Sequence, residues 1–220
     1  LMRRTAGRPL PAGRVRASDA LTFGILLCCT GLLTLALRID LATAAVAAMT
    51  LASYVFLYTP LKRINSLSTL AGAITGGLPP MLGWLGAGNG LGAGAVILFF
   101  VLFYWQIPHF LAISWKYRDQ YARAGYPMYG VLDPAGRATG GQALLYGIGM
   151  LVASLLLVQQ QLAGWVYGAG ALGLGGVMVA LAIRFRRDPN AHTATFLFFA
   201  TIIYLPLLLI LLFFDAHPGV

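Results

Sequence analysis

The sequence predicts an all-α fold, a polytopic membrane bundle of seven transmembrane helices, on three observations. Hydrophobic residues make up 59% of the chain and charged residues only 10%, where a soluble domain carries about 25% charge. Apolar runs approach the length of about 20 residues that a helix needs to cross a bilayer. They cover 21–37, 41–59, 67–87, 91–113, 143–160, 163–183 and 195–214. All but one of the fifteen Lys and Arg fall in alternate gaps between those runs.

Arg3, Arg4, Arg8, Arg14 and Arg16 precede the first run. That run holds the adjacent Cys28 and Cys29, which read as buried small hydrophobes rather than as a disulfide or a metal site. Arg38-Ile39-Asp40 joins it to the second run, which closes on Tyr58-Thr59-Pro60-Leu61-Lys62-Arg63. The third contains Gly76-Gly77-Leu78-Pro79-Pro80, and proline's missing N–H predicts a kink or a broken helix there. Asn89-Gly90 leads into the fourth. The loop over 114–142 carries Lys116, Arg118, Arg123 and Arg137, and within it Asp133-Pro134-Ala135-Gly136 reads as a turn. Gln161-Leu162 links the fifth and sixth runs, and the glycines of 163–179 predict close helix packing. Arg184, Arg186 and Arg187 stand before the last run.

Cations are held on the cytoplasmic side because translocating them is unfavourable. The four basic loops therefore share that side, which sets the N-terminus inside and the C-terminus outside, with Arg38 the exception. The chain reads as a single domain over 1–220, multi-pass in the cell's inner (cytoplasmic) membrane. A pI near 10 does not indicate nucleic acid, because the cations are confined to short loops with no basic helix or binding module. Attraction to an anionic lipid or an anionic substrate stays open. Without any Glu, a Cys/His cluster or a spaced nucleophile–base pair, metalloprotease and serine-hydrolase chemistry have no footing.

A few polar side chains need a reason. At 100° per residue, Trp105, His109, Ala112, Lys116 and Asp119 share a stripe about 80° wide, provided that the helix continues past Trp115. An ionisable group facing lipid is costly, so such residues are site candidates. Each has a plainer reading: His109 bonded to a neighbouring helix, Lys116, Arg118 and Arg123 as topological charge, Asp119 in a salt bridge. Tyr58 can donate a hydrogen bond while Lys62 and Arg63 supply charge for phosphate or carboxylate. With Arg3, Arg4 and Arg8 they describe a cationic mouth above aromatic-lined helices, suited to an anionic head with an apolar tail.

The runs RTAGRPLPAGRV (4–15), YTPLKR (58–63), PPMLGW (79–84), YWQIPHF (104–110) and YRDQYARAGYPM (117–128) resemble the UbiA-type intramembrane prenyltransferases. Within them, the Trp-Gln-Ile-Pro-His-Phe run points to the heme-directed farnesyltransferases. The resemblance implies nine helices around a cavity open to the cytoplasm, and transfer of farnesyl from farnesyl diphosphate to a vinyl group of heme b, giving heme O. It implies Mg²⁺ held with the diphosphate by two acidic motifs, the first normally just before the RTxxRPLP loop. The chain opens after that point, so it is expected to be a C-terminal fragment lacking the first two helices and to have little activity alone. Carried over by residue, Asp119 is the metal-side carboxylate, with Gln120 where the family often has an acid and Tyr121 beside it. Asp119, Lys62 and Tyr58 are the expected catalytic set. Arg8 and Arg63 join Lys62 and Tyr58 on the diphosphate, Trp105 and His109 border the heme or prenyl site, and Lys116, Arg118 and Tyr121 complete the substrate contacts. The lipid bilayer and a downstream heme A synthase are the implied partners. Two other readings remain open: a prenyltransferase for a quinone precursor or chlorophyllide, and a transporter of an anionic amphiphile, which would show paired half-helices.

Overall fold

A computed structural model describes residues 6–217; Arg3 and Arg4 of the first basic cluster lie outside the described residues. The chain is helical nearly throughout. α1 (Ala17–Arg38) is followed by α2 (Leu41–Ala52), a π-helical turn (Ser53–Tyr58) and α3 (Thr59–Ile64), which together form one continuous rod. α4 (Ser68–Gly86) and α5 (Ala93–Lys116) come next. Two short helices, α6 (Arg118–Arg123) and α7 (Tyr129–Leu132), then lead to α8 (Arg137–Gln159), α9 (Trp165–Arg187) and α10 (Ala191–Asp215).

Among the described residues, six helices are long and apolar enough to cross a membrane: α1, the α2–α3 rod, α5, α8, α9 and α10. α4 occupies the third expected run with 19 residues. Its length of about 28 Å approaches the bilayer's hydrocarbon thickness, but its glycines, prolines and threonines dilute its apolar character.

α5 is the hub, packing against α4, α8 and α10, while α9 closes the far side between α8 and α10. The core follows this arrangement: Val101, Ile107 and Leu111 of α5 meet Met150 of α8, Met178 and Phe185 of α9, and Leu197 and Leu208 of α10. α1 packs against α2 but has no buried residue. Cys28 and Cys29 are consequently exposed, not buried as their apolar run suggested.

Of the kink or break expected at Gly76–Pro80, the break does not occur, for α4 runs through Pro79 and Pro80 as one helix. The two glycines serve packing instead. A Cβ on Gly76 would collide with the Gln106 side chain, and one on Gly77 would stand 3.0 Å from Phe99 and its carbonyl oxygen. Their bare backbone is what lets α4 lie close on α5. The sixth run behaves as expected at several positions, with Gly168 and Gly175 against Val158 and Leu151 of α8 and Gly170 against Leu211 of α10.

Helix ends are capped where the sequence has polar residues to spend. Arg38 lies in the last turn of α1, where a cation complements the partial negative charge of the helix C-terminus. Asp40 caps α2, accepting from the Thr43 amide and hydroxyl, both at 2.7 Å. These bonds, the hydroxyl's foremost, hold the Asp40 carboxyl below its ordinary range. The Asp133–Gly136 turn forms, and Asp133 Oδ2 accepts from the Thr139 amide and hydroxyl at 2.7 and 2.8 Å. At the opposite end Asp215 reaches back from α10 to the start of α9, accepting from the Tyr167 amide at 2.7 Å.

Two outcomes test this packing. A Cβ on Gly140 would lie 2.5 Å from the Arg186 Cα, whereas its neighbour Gly141 has nothing within 4 Å. Gly140→Ala should therefore cost about 1–3 kcal/mol by wedging α8 off α9, while Gly141→Ala should be neutral or stabilising by up to about 1 kcal/mol; thermal unfolding in detergent measures both. Asp40 contributes stability that is full above the ordinary carboxylate range of about 4 and is lost as pH falls through its lower folded value. Asp40→Ala should flatten the acid limb of the unfolding profile; an unchanged acid limb would remove Asp40 from that role.

Candidate functional site

The residues that make the site arrive from three directions. The segment before α1 folds on itself: the Ala12 amide donates to the Arg8 carbonyl, and Arg14 donates to the Gly7 carbonyl at 2.6 Å. The α2–α3 rod delivers Tyr58, Lys62 and Arg63. After α6 the chain reverses at Gly125, whose φ of +72° suits a residue without a Cβ. That reversal brings the Tyr126 amide to the Tyr121 carbonyl at 3.0 Å.

Between these segments lies a cavity of ≈ 930 Å³. Arg8, Lys62 and Arg63 give it charge, Tyr58, Tyr121 and Tyr126 give it aromatic rings, and Leu10, Val15 and Met128 add apolar wall. Lys62 Nζ stands 5.6 Å from the Tyr58 ring centre, and the Tyr121 and Tyr126 rings meet edge-on at 6.3 Å. Among the described residues, no carboxylate lines the cavity. Three cations beside phenol rings in an open recess, with Arg8 and Arg63 exposed, are a receptor for a multiply charged anion. The rings would also face any cation that forms when such an anion departs.

Five of the expected site residues thus come together: Arg8, Tyr58, Lys62 and Arg63, singled out by residue type and placement, and Tyr121, implied by the resemblance. The others lie elsewhere. α5 ends at Lys116, where Tyr117 turns out of helical geometry at φ −112° and ψ 22°, so the stripe from Trp105 to Asp119 does not exist as one helical face. Asp119 sits on α6, its side chain 81% exposed, with its nearest cation Arg118 at 3.8 Å. A pair so exposed is worth at most about 1 kcal/mol. Arg118 stacks over Trp115 at 4.6 Å, and Lys116 lies 5.5 Å from the rings of Phe198 and Phe199 on α10.

Trp105 and His109 also face α10. Trp105 Nε1 donates to the Thr201 carbonyl at 2.7 Å, and His109 Nδ1 lies 2.8 Å from the Thr201 hydroxyl. That hydroxyl donates its one hydrogen to the Phe198 carbonyl at 2.6 Å. A neutral His109 ring therefore donates from Nδ1, leaving the lone pair on Nε2. The two rings stack on each other at 5.3 Å.

Tyr126 and Met128, like the apolar Leu10 and Val15, are cavity residues that sequence reasoning missed. Tyr126 and Met128 lie on a turn, where neither helical nor strand periodicity assigns a face. Their place in the 117–128 run that carries the family resemblance was the available signal.

Magnesium was expected here. Among the described residues no group of three His, Cys, Asp or Glu side chains could hold a metal ion, and the cavity wall is cationic. Hard divalent ions want several oxygen ligands, carboxylates foremost. The described residues therefore do not fit Mg²⁺ by themselves. A second, smaller recess of ≈ 270 Å³ opens between α4 and α8 over Ile107 and Leu111, and no charged side chain lines it.

Comparison with known proteins accords with this arrangement. The UbiA prenyltransferase family matches residues 1–203. A protoheme IX farnesyltransferase of Solibacter usitatus (strain Ellin6076) is 43% identical over 218 residues, covering 99% of this chain and 74% of that one. The mitochondrial protoheme IX farnesyltransferase of Homo sapiens is 35% identical, over 99% of this chain and 49% of its own length. A structure solved in work on digeranylgeranylglyceryl phosphate synthase superposes with a TM-score of 0.79 over 97% of this chain and 75% of that one. At 16% identity it speaks for the fold alone. With the family matched along nearly the whole chain and the same fold formed, this protein belongs to the UbiA prenyltransferase family and is a prenyltransferase.

Proposed function

We propose that the protein transfers farnesyl from farnesyl diphosphate to a vinyl group of heme b, giving heme O, and that this cavity binds the diphosphate. The observation that carries this reading is the cavity that gathers Arg8, Lys62 and Arg63 around Tyr58, Tyr121 and Tyr126. The identity to proteins named protoheme IX farnesyltransferase supports the choice of donor and acceptor.

The cations hold the diphosphate and offset the charge that grows on it as the C1–O bond of the farnesyl group breaks. Positive charge then spreads over the allylic carbons, and the tyrosine faces stabilise it. The vinyl π electrons form the new carbon–carbon bond at C1. Water supplies the hydroxyl to the adjoining vinyl carbon and releases a proton. The heme propionates are drawn to the same basic face.

No step here runs through magnesium; if the ion takes part, Asp119 is the candidate ligand on the α5–α8 connection, and it needs further carboxylates. The positive-inside distribution supports a cytoplasmic place for this face of an inner-membrane protein, with α4 bringing the spans to seven and the C-terminus outside. A heme A synthase is the partner such a product would meet next.

The direct test is chromatography of products after farnesyl diphosphate and heme b are added to membranes holding the chain. Heme O formation supports the reading, and farnesylation of a quinone precursor in its place would overturn it. Lys62→Ala should lower the rate by about 10²–10³-fold, the usual cost of losing one group that stabilises developing charge. Arg123→Ala, outside the cavity wall, should change it by less than about threefold.

A further inference from the structure

Tyr58 owes its place to a local departure from the α-helix. Pro60 has no N–H to donate to the carbonyl four residues back. The preceding turn re-registers: the Thr59 amide donates to the Tyr54 carbonyl five residues back, and the Thr59 hydroxyl donates to the same oxygen at 2.8 Å. Residues five apart on an α-helix differ by about 140° in direction. A π turn takes more residues per revolution, so Ser53 and Tyr58 come round to the same side of the rod.

Both meet α4 there. Ser53 Oγ lies 3.1 Å from the Thr75 hydroxyl. One helical turn earlier on α4, a Cβ on Gly72 would stand 3.0 Å from Tyr58 Cε2 and 3.1 Å from Cδ2. Gly72 is thus the seat of the Tyr58 ring. The ring in turn faces Lys62 Nζ at 5.6 Å and forms part of the cavity wall, which Gly72 itself does not line.

We propose that Gly72 is a positioning residue for prenyl transfer: its missing Cβ lets the π turn dock the Cδ2–Cε2 side of the Tyr58 ring against α4, aiming the phenol and Lys62 at the diphosphate. This rests on the cavity's being the diphosphate site, and the experiment separates the two ideas. Two readouts are taken on the whole chain in detergent. One is the rate of Tyr58 nitration by tetranitromethane, followed by mass spectrometry, which reports the ring carbons beside the hydroxyl, including the seated Cε2. The other is the affinity for inorganic diphosphate by calorimetry.

Gly72→Ala lifts the ring, so nitration of Tyr58 should rise severalfold and diphosphate should bind about tenfold more weakly, the worth of one charge-assisted hydrogen bond. Gly83→Ala, on the same helix with nothing within 4 Å, should change neither. In a Tyr58→Leu background Gly72→Ala should shift affinity by less than about twofold, since the residue it acts through is gone. Unchanged nitration and affinity in Gly72→Ala overturn the proposal, as does an equal loss in the Tyr58→Leu background. Absence of diphosphate binding by the unsubstituted chain instead overturns the reading of the cavity, while nitration still decides the seat. Should Gly72→Ala not fold, Pro60→Ala carries the test, because restoring the N–H lets Tyr58 rotate off α4 and should raise nitration in the same way.

Discussion

Inside a bilayer, water cannot satisfy a backbone N–H or C=O, so each must find its partner within its own helix or on an adjoining one. That constraint makes this chain almost wholly helical, and it gives unusual weight to the residues that break the ladder. Prolines stand within α4, α5 and α10 without ending them. At Pro60 the ladder adapts by widening, with Thr59 supplying both its amide and its hydroxyl to the Tyr54 carbonyl. The widened turn lies where Tyr58 and Lys62 must share a face. A defect in hydrogen bonding thereby becomes the device that aims the cavity's side chains.

Electrostatics then divides the molecule by depth. Cations of the basic loops that predict orientation in the membrane also make the cavity wall positive, so both readings draw on one charge pattern. Arg8, Lys62 and Arg63 enter the cavity, whereas Lys116 and Arg118 are absorbed by aromatic rings on α10 and α5. Asp119 lies out in solvent beside Arg118. The described site is accordingly suited to a multiply charged anion, and metal chemistry would need acids that its described wall does not supply.

Much of this was legible from the residues in order. Hydrophobic run length determined the helices, since only an apolar segment of sufficient length is stable in lipid. Charge placement pointed to the face that carries the candidate site, local residue types picked out Arg8, Tyr58, Lys62 and Arg63, and the family resemblance added Tyr121. The turn at Asp133–Gly136 followed from side-chain chemistry that acts over four residues.

Only the tertiary structure decided the rest, because the deciding contacts are distant in sequence. Helical projection joined Asp119 to Trp105 and His109, but Tyr117 leaves the helix and separates them. Trp105 and His109 look equally suited to a ligand or a neighbour until Thr201, on α10, is seen bonded to both. Gly76 and Gly77 suggest a hinge in isolation, and become a packing surface once α5 lies against them. Gly72 is silent in the sequence, since what matters is the ring of Tyr58 resting where its side chain would be. Composition and periodicity act along the chain and determined what is helical and which end is charged. Which polar groups meet a cavity and which meet a helix depends on packing across it, and that the fold alone decided.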